Sequence, residues 1–355
     1  MAGPARVSGG AGDGTITAGV APELIAESQR EPGLVGLSPG KLALRRLRRN
    51  RGALFAGALF LLLVAACVAA PVWANHVANR GPNEEPTGTE TVEKGGEDVL
   101  ILGLDGVPVG PTLRSEYFLG ADSSGRDVMV RLLYGGRNSL MIGISAALVT
   151  TLLAMVVGLL SGYFRGFTDL ALTNAMDVIW AFPVILLGIA LGVAFAQDGI
   201  NLGFTTIPGG SLLIPILVIA VVYVPYMARP IRGEVLALRE KEFVEAARAQ
   251  GMGSLRIMFR EILPNVVTLM LVFFPLMVAN AILLESALSF LGAGVQLPTS
   301  SWGTMLDDGV SRIITAPFLA IIPGAMVVIT VLTLNVFGDG VRAALDPRAK
   351  LTVEG

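Results

Sequence analysis

Six apolar stretches divide the chain: Ala53 to about Ala74, Ser139 to Gly162, Met176 to Ala196, Ser211 to Ala228, Val266 to Leu284 and Ala316 to Phe337. Each runs about 20 residues, the length a helix needs to cross a hydrocarbon core of about 30 Å. Lipid offers backbone N–H and C=O groups no partner, so such runs fold as helices. The pattern predicts an all-α integral membrane protein with six transmembrane helices.

Between the fourth and fifth stretches lies a polar island, Phe243 to Pro264, reading FVEAARAQGMGSLRIMFREILP. Glu245 to Gln250 favour a helix, and Gly251 can take the positive φ that ends one. A second helical run, Leu255 to Leu263, is expected to stop before Pro264, because a residue preceding proline is pushed out of the α region. On a helical wheel Leu236, Phe243 and Ala247 share one face, whereas Lys241, Glu242, Glu245 and Arg248 share another. Two readings fit this element: a solvated loop between spans, or a docking site for a partner.

Composition agrees with a membrane protein. Of 355 residues 53% are hydrophobic and 15% charged, and the mean hydropathy is +0.68. A net charge of −2 without a concentrated basic surface argues against nucleic acid. The single Cys, Cys67, excludes an internal disulfide, and the single His disfavours His-based metal binding or catalysis.

The chain divides by composition. Residues 1–40 are rich in Gly, Ala, Ser and Pro and are expected to form a disordered tail. Residues 41–74 hold Lys41, Arg45, Arg46, Arg48, Arg49 and Arg51 followed by the first span. Bases ahead of an apolar run are also signal-peptide architecture, and Val64 to Cys67 resembles a lipoprotein processing box. The apolar run continues past Cys67, however, and some fifty residues precede it; Cys67 is therefore expected to be a packing residue in a span. Residues 75–138 form a long acidic loop, 139–340 a five-span core with the island at 237–264, and 341–355 a tail. Lys and Arg number 19 on the side holding both termini and the island and 7 on the other. The positive-inside bias places the first side in the cytoplasm.

Glu245-Ala246-Ala247, three further residues, Gly251, and then Leu263-Pro264 resemble the EAA loop of ABC importer permeases. Glu261 stands where that pattern has Ile, a variant familiar from the peptide-importer branch. Three more stretches are similar to dipeptide, oligopeptide and nickel importer permeases: Leu119 to Gly143, Phe290 to Leu306 and Leu334 to Arg348. The first span with its Arg cluster fits the second, C-type permease subunit of that family (OppC/DppC-like). The resemblance implies a type I ABC importer permease fold in a bacterial inner or plasma membrane. It also implies ATPase coupling through Phe243, Glu245, Ala246, Ala247, Gly251, Leu263 and Pro264. The acidic stretch Asn75 to Arg114 and the tail before Lys41 lie outside the family pattern.

Candidates for the outer mouth or pathway are Arg126, Asp127, Glu285 and Trp302. Arg126, Asp127 and Arg131 suggest a short outer helix with internal ion pairing, and Trp302 beside Pro298 suggests an interfacial element. Glu285, at the outer end of the fifth span, is either an ordinary interfacial carboxylate or a vestibule residue that attracts a peptide amine. Asp177 is expected to pair with a base such as Arg165. Gly338, Asp339 and Gly340, followed by Asp346, Pro347 and Arg348, suggest an end cap packed on the cytoplasmic face.

No phosphate loop G-x-x-x-x-G-K-[ST] is present, and one His supplies no nucleophile–base set. No catalytic residue, cofactor or metal is therefore assigned to this chain. The resemblance implies ATP and Mg on two partner ATPase subunits, a second homologous permease, and an extracytoplasmic substrate-binding protein. It implies short peptides as cargo, with nickel or another small solute as the alternative. An ATP-independent secondary transporter would show broken helices in related halves, and no internal repeat is found.

Overall fold

The computed structural model describes residues 39–345 except 202 and 204. Nearly all of the expected tail 1–40, the terminal Asp346, Pro347 and Arg348, and most of 341–355 lie outside the described residues. The described residues open with α1 (Pro39–Arg49) and, after Asn50, α2 (Arg51–Val68). The Asn50 side chain caps α2 by accepting a bond from Ala53 N at 3.1 Å. The short α3 (Ala70–Trp73) and a π-helical turn at Ala74–Ala78 complete this first stretch.

Residues 75–138 are no featureless loop. They contain an antiparallel hairpin, β1 (Thr91–Lys94) with β2 (Glu97–Leu100), in the register Thr91↔Leu100. Val92, Ile101, Val109, Tyr117 and Ala121 form a small core of their own beneath it. The loop also ends earlier than its polarity suggests, because α4 (Val128–Phe164) begins eleven residues before the apolar run.

The third span departs most from expectation. Met176 to Ala196 is not one helix: α5 (Gly166–Trp180) and α6 (Val184–Ala196) meet at 88°. Pro183 lacks an N–H and disfavours helical backbone at Phe182, so the helix breaks there. A two-residue pair, β3 (Ile200–Asn201) with β4 (Thr206–Ile207), turns the chain into α7 (Leu213–Leu238).

After α7 come α8 (Glu242–Ala249), α9 (Ser254–Ile257), a π-helical turn at Met258–Ile262 and α10 (Leu263–Phe290). The expected stop before Pro264 does not occur. Pro264 sits in the first turn of α10, where a missing N–H costs least, and the wider π turn accommodates its ring. The described residues end with α11 (Trp302–Ser311) and α12 (Phe318–Leu345). Among the described residues five helices or helix runs are long and apolar enough to cross a membrane, or six if the bent pair α5–α6 is one span.

The bundle is organised on α4 and α7, which run parallel. A Cβ at Gly158 would lie 2.5 Å from Ile231 Cγ2, and one at Gly162 would lie 2.7 Å from Val235 Cβ. Small residues let two backbones approach without a hydrophobic force between helices. Helices α10 and α12 pack against α4 and each other, and α2 lies along α12. The chain directions place α1, the island and the end of α12 at one end of the bundle. The hairpin and α11 lie at the other.

Candidate functional site: an exposed island and a buried outer cluster

The island folds as helix, glycine turn, helix. Helix α8 has Glu242 and Glu245 in its first turn and Arg248 in its last, matching the helix dipole at both ends. It closes in a Schellman motif: Gly251 N donates to Arg248 O at 2.9 Å, and Met252 N to Ala247 O at 3.1 Å. Gly251 holds φ at +78°, which a side chain would resist. Val244 and Ala247 are buried and fasten α8 to the bundle, while Ile257, Met258 and Ile262 do the same for the segment that follows.

The expected apolar face needs correction. Phe243 does not join Ala247 in the core; it is exposed, and the buried partner is Val244. The wheel assumed a continuous helix from Leu236, but α7 ends at Leu238 and α8 restarts after Lys241 with a new phase. Phe243, Glu245, Ala246, Gly251 and Pro264 are all exposed, and Leu263 is half-buried. Sequence reasoning missed Leu255 and Phe259, which stand 62% and 57% exposed one helical turn apart. An apolar pair at i, i+4 on the island's second helix was the available signal.

At the other end the structure separates the four outer candidates. A cavity of about 580 Å³ is lined by Asp122, Arg126, Arg131, Gln296, Asp307 and Asp308 among others. Of the candidates Arg126 lines it. The expected short helix with internal pairing is absent: Arg126 and Arg131 both bind Asp122, with Nε to Oδ2 distances of 2.8 and 3.1 Å. Asp127 is buried and caps α4, its two oxygens accepting from Val130 N at 3.0 Å and Tyr117 N at 2.8 Å. Burial raises its pKa above the usual carboxylate value, against those backbone bonds, which lower it. Tyr117 beside it is buried, its hydroxyl pushed up to about 12 by burial, with Arg80 5.0 Å over its ring.

Glu285 and Trp302 face neither lipid boundary nor vestibule. Both are 0% exposed. Helix α10 continues five residues past Glu285, so a position that looked terminal is interior. Its carboxylate accepts from Ser289 Oγ at 2.8 Å, with the Ser286, Ser139 and Ser301 hydroxyls around it. Ser289 Oγ in turn accepts from Val295 N at 3.0 Å, tying the following loop down. Trp302 donates from its indole to Leu132 O at 3.1 Å and from its backbone N–H to Ser139 Oγ at 3.2 Å. The Glu285 carboxylate and the Trp302 indole N–H thus both have partners, as burial requires. Together these residues lock α11 against α4.

Asp177 pairs with Arg229 on α7, not with Arg165, whose partner is Glu240. Arg165 precedes α5 and Asp177 stands near its far end, where α5 runs alongside α7 and brings Asp177 to Arg229. Cys67 is buried in α2. Among the described residues no three His, Cys, Asp or Glu side chains converge as a metal site.

Residues 154–351 match the family described as "Binding-protein-dependent transport system inner membrane component". The chain belongs to this family. It is an inner-membrane transport component. Residues 38–86 match the "N-terminal TM domain of oligopeptide transport permease C". The glutathione transport system permease protein GsiD of Pectobacterium atrosepticum is 35% identical over 86% of this chain and 90% of its own length. The oligopeptide transport system permease protein OppC of Escherichia coli K12 is 40% identical over 67% and 74%. Among solved structures, the inward-facing MetNI methionine ABC transporter shares 18% identity at a TM-score of 0.48, over 61% of this chain and 97% of that one.

Proposed function

We propose that this chain is the membrane-spanning subunit of an ATP-driven importer of short peptides and forms half of its pathway. One observation carries the reading: a family member presents a rigidly anchored helix–glycine–helix island whose outward face is both charged and apolar. The peptide and glutathione transport named for its relatives favours peptides over nickel. In this reading the bent pair α5–α6 counts as one span, giving six in a type I arrangement. Both termini and the island face the cytoplasm, by the distribution of Lys and Arg.

The chain carries no ATPase centre of its own in this account. ATP and Mg act on two partner ATPase subunits, and a second permease chain completes the pathway. An extracytoplasmic binding protein delivers cargo to the end formed by the hairpin and α11. Nucleotide-driven closure of the ATPases moves α8, and Val244, Ala247, Ile257 and Ile262 pass that motion to α7 and α10. Glu245, Phe243, Leu255 and Phe259 make the contact, and Gly251 sets the angle between its two halves.

Co-purification tests this. The solubilised complex is expected to retain an ATPase chain, and Glu245→Arg to reduce both its retention and peptide uptake. An ATPase that never co-purifies, with uptake unaffected by Glu245→Arg, would sink the proposal.

A further inference from the structure

We infer that α1 is a headgroup-binding element whose exposed basic face holds anionic phospholipids at the membrane surface, at the end of the bundle that also carries the island. The inference rests on the chain being membrane-embedded, but not on which end faces the cytoplasm.

Lys41, Arg45, Arg48 and Arg49 recur at i, i+4, i+7 and i+8, so they share one face of α1. All four are exposed. Leu42, Ala43 and Leu47, on other sides of the helix, are half-buried where α1 packs on α12. The basic face is thus left over after the chain's own packing. It is also uncompensated along the sequence, since residues 32–83 contain no Asp or Glu.

Position decides what such a face meets. Asn50 alone separates α1 from α2, and the first turn of α2 exposes Leu54 and Phe55. At 1.5 Å per helical residue, Arg48 and Arg49 stand roughly 10 Å from those lipid-facing side chains. Leu44, 51% exposed, flanks the basic face. An exposed leucine beside long basic side chains lets the helix seat its apolar edge while the charges reach headgroups. Four or more bases at the foot of a span attract anionic lipid, each by a modest and roughly additive amount. A protein partner would have to supply a matching acidic surface, whereas the membrane is already there.

The test uses the full chain purified in detergent and exposed to equal amounts of phosphatidylglycerol and phosphatidylcholine, with bound lipid counted by native mass spectrometry. The native chain is expected to prefer phosphatidylglycerol. Lys41→Gln/Arg45→Gln/Arg48→Gln/Arg49→Gln is expected to reduce that preference roughly tenfold or more at an unchanged melting temperature. The double variants Lys41→Gln/Arg45→Gln and Arg48→Gln/Arg49→Gln are expected to fall between, and they keep the test decisive if the quadruple variant misfolds. A preference unchanged by these substitutions overturns the inference. So does an unchanged lipid preference accompanied by loss of a co-purifying ATPase, which would assign the face to protein. Neither outcome depends on Glu245, so failure here leaves the importer reading standing.

Discussion

Arg232 grips Asp169 through both sides of its guanidinium, with Nε and Nη2 lying 2.6 and 2.7 Å from the two carboxylate oxygens. This pair fastens α5, one arm of the bent span, to α7, the helix leading into the island. A second tie lies alongside it: Arg229 binds Asp177 at 2.6 Å and stacks 4.2 Å over the Trp180 ring. Bidentate geometry gives such a pair direction as well as energy.

Asp169→Ala and Arg232→Ala should each loosen α5. Because both side chains are partly exposed, a double-mutant cycle on thermal stability is expected to give a coupling of about 1 kcal/mol, not more. The exchanged pair Asp169→Arg/Arg232→Asp should recover part of the uptake lost in the single variants. Independent, additive losses would show that the tie carries nothing.

Gly251 has open space where a Cβ would stand, so only its backbone angle opposes substitution. Gly251→Val should therefore cost about 1–2 kcal/mol locally, and Gly251→Asn much less. The decisive reading is ATP turnover by the assembled complex, stimulated by substrate: reduced for Val and near native for Asn.

Gly162 is the opposite case. A larger residue there meets Val235 and the Arg232 carbonyl at once. Gly162→Leu is expected to destabilise the bundle by about 1–3 kcal/mol, seen as a lower melting temperature and a lower yield of folded protein. An unperturbed melt would contradict the close approach of α4 and α7.

Glu285→Ala leaves the Ser139, Ser289 and Ser301 hydroxyls without their acceptor. A cost of about 1–3 kcal/mol follows from the unmet buried groups, with Glu285→Gln milder because an amide oxygen still accepts. Transport assays should show fewer active complexes with an unchanged KM for peptide. A raised KM at normal stability would restore the vestibule role.

The sequence by itself determined a great deal. Apolar runs of spanning length dictated membrane helices, because backbone groups in lipid must pair within the helix. Gly251 at the close of a helix-favouring run fixed the island's turn, because a left-handed residue ends a helix at no side-chain cost. These are local rules, read over a few neighbouring residues. The hairpin of β1 and β2 escaped them, since its strands are four residues each and the small core beneath it is assembled from distant positions.

Tertiary structure alone decided what the charged and aromatic residues do. Glu285, Trp302 and Asp127 look like boundary or mouth residues in one dimension, yet each is buried and hydrogen-bonded to an element far along the chain or to a helix end. Asp177 found Arg229 because α5 runs alongside α7, a pairing of helices that hydropathy does not encode. Burial and pairing depend on which helices meet, and α4 meets α7 only because Gly158 and Gly162 leave room for it.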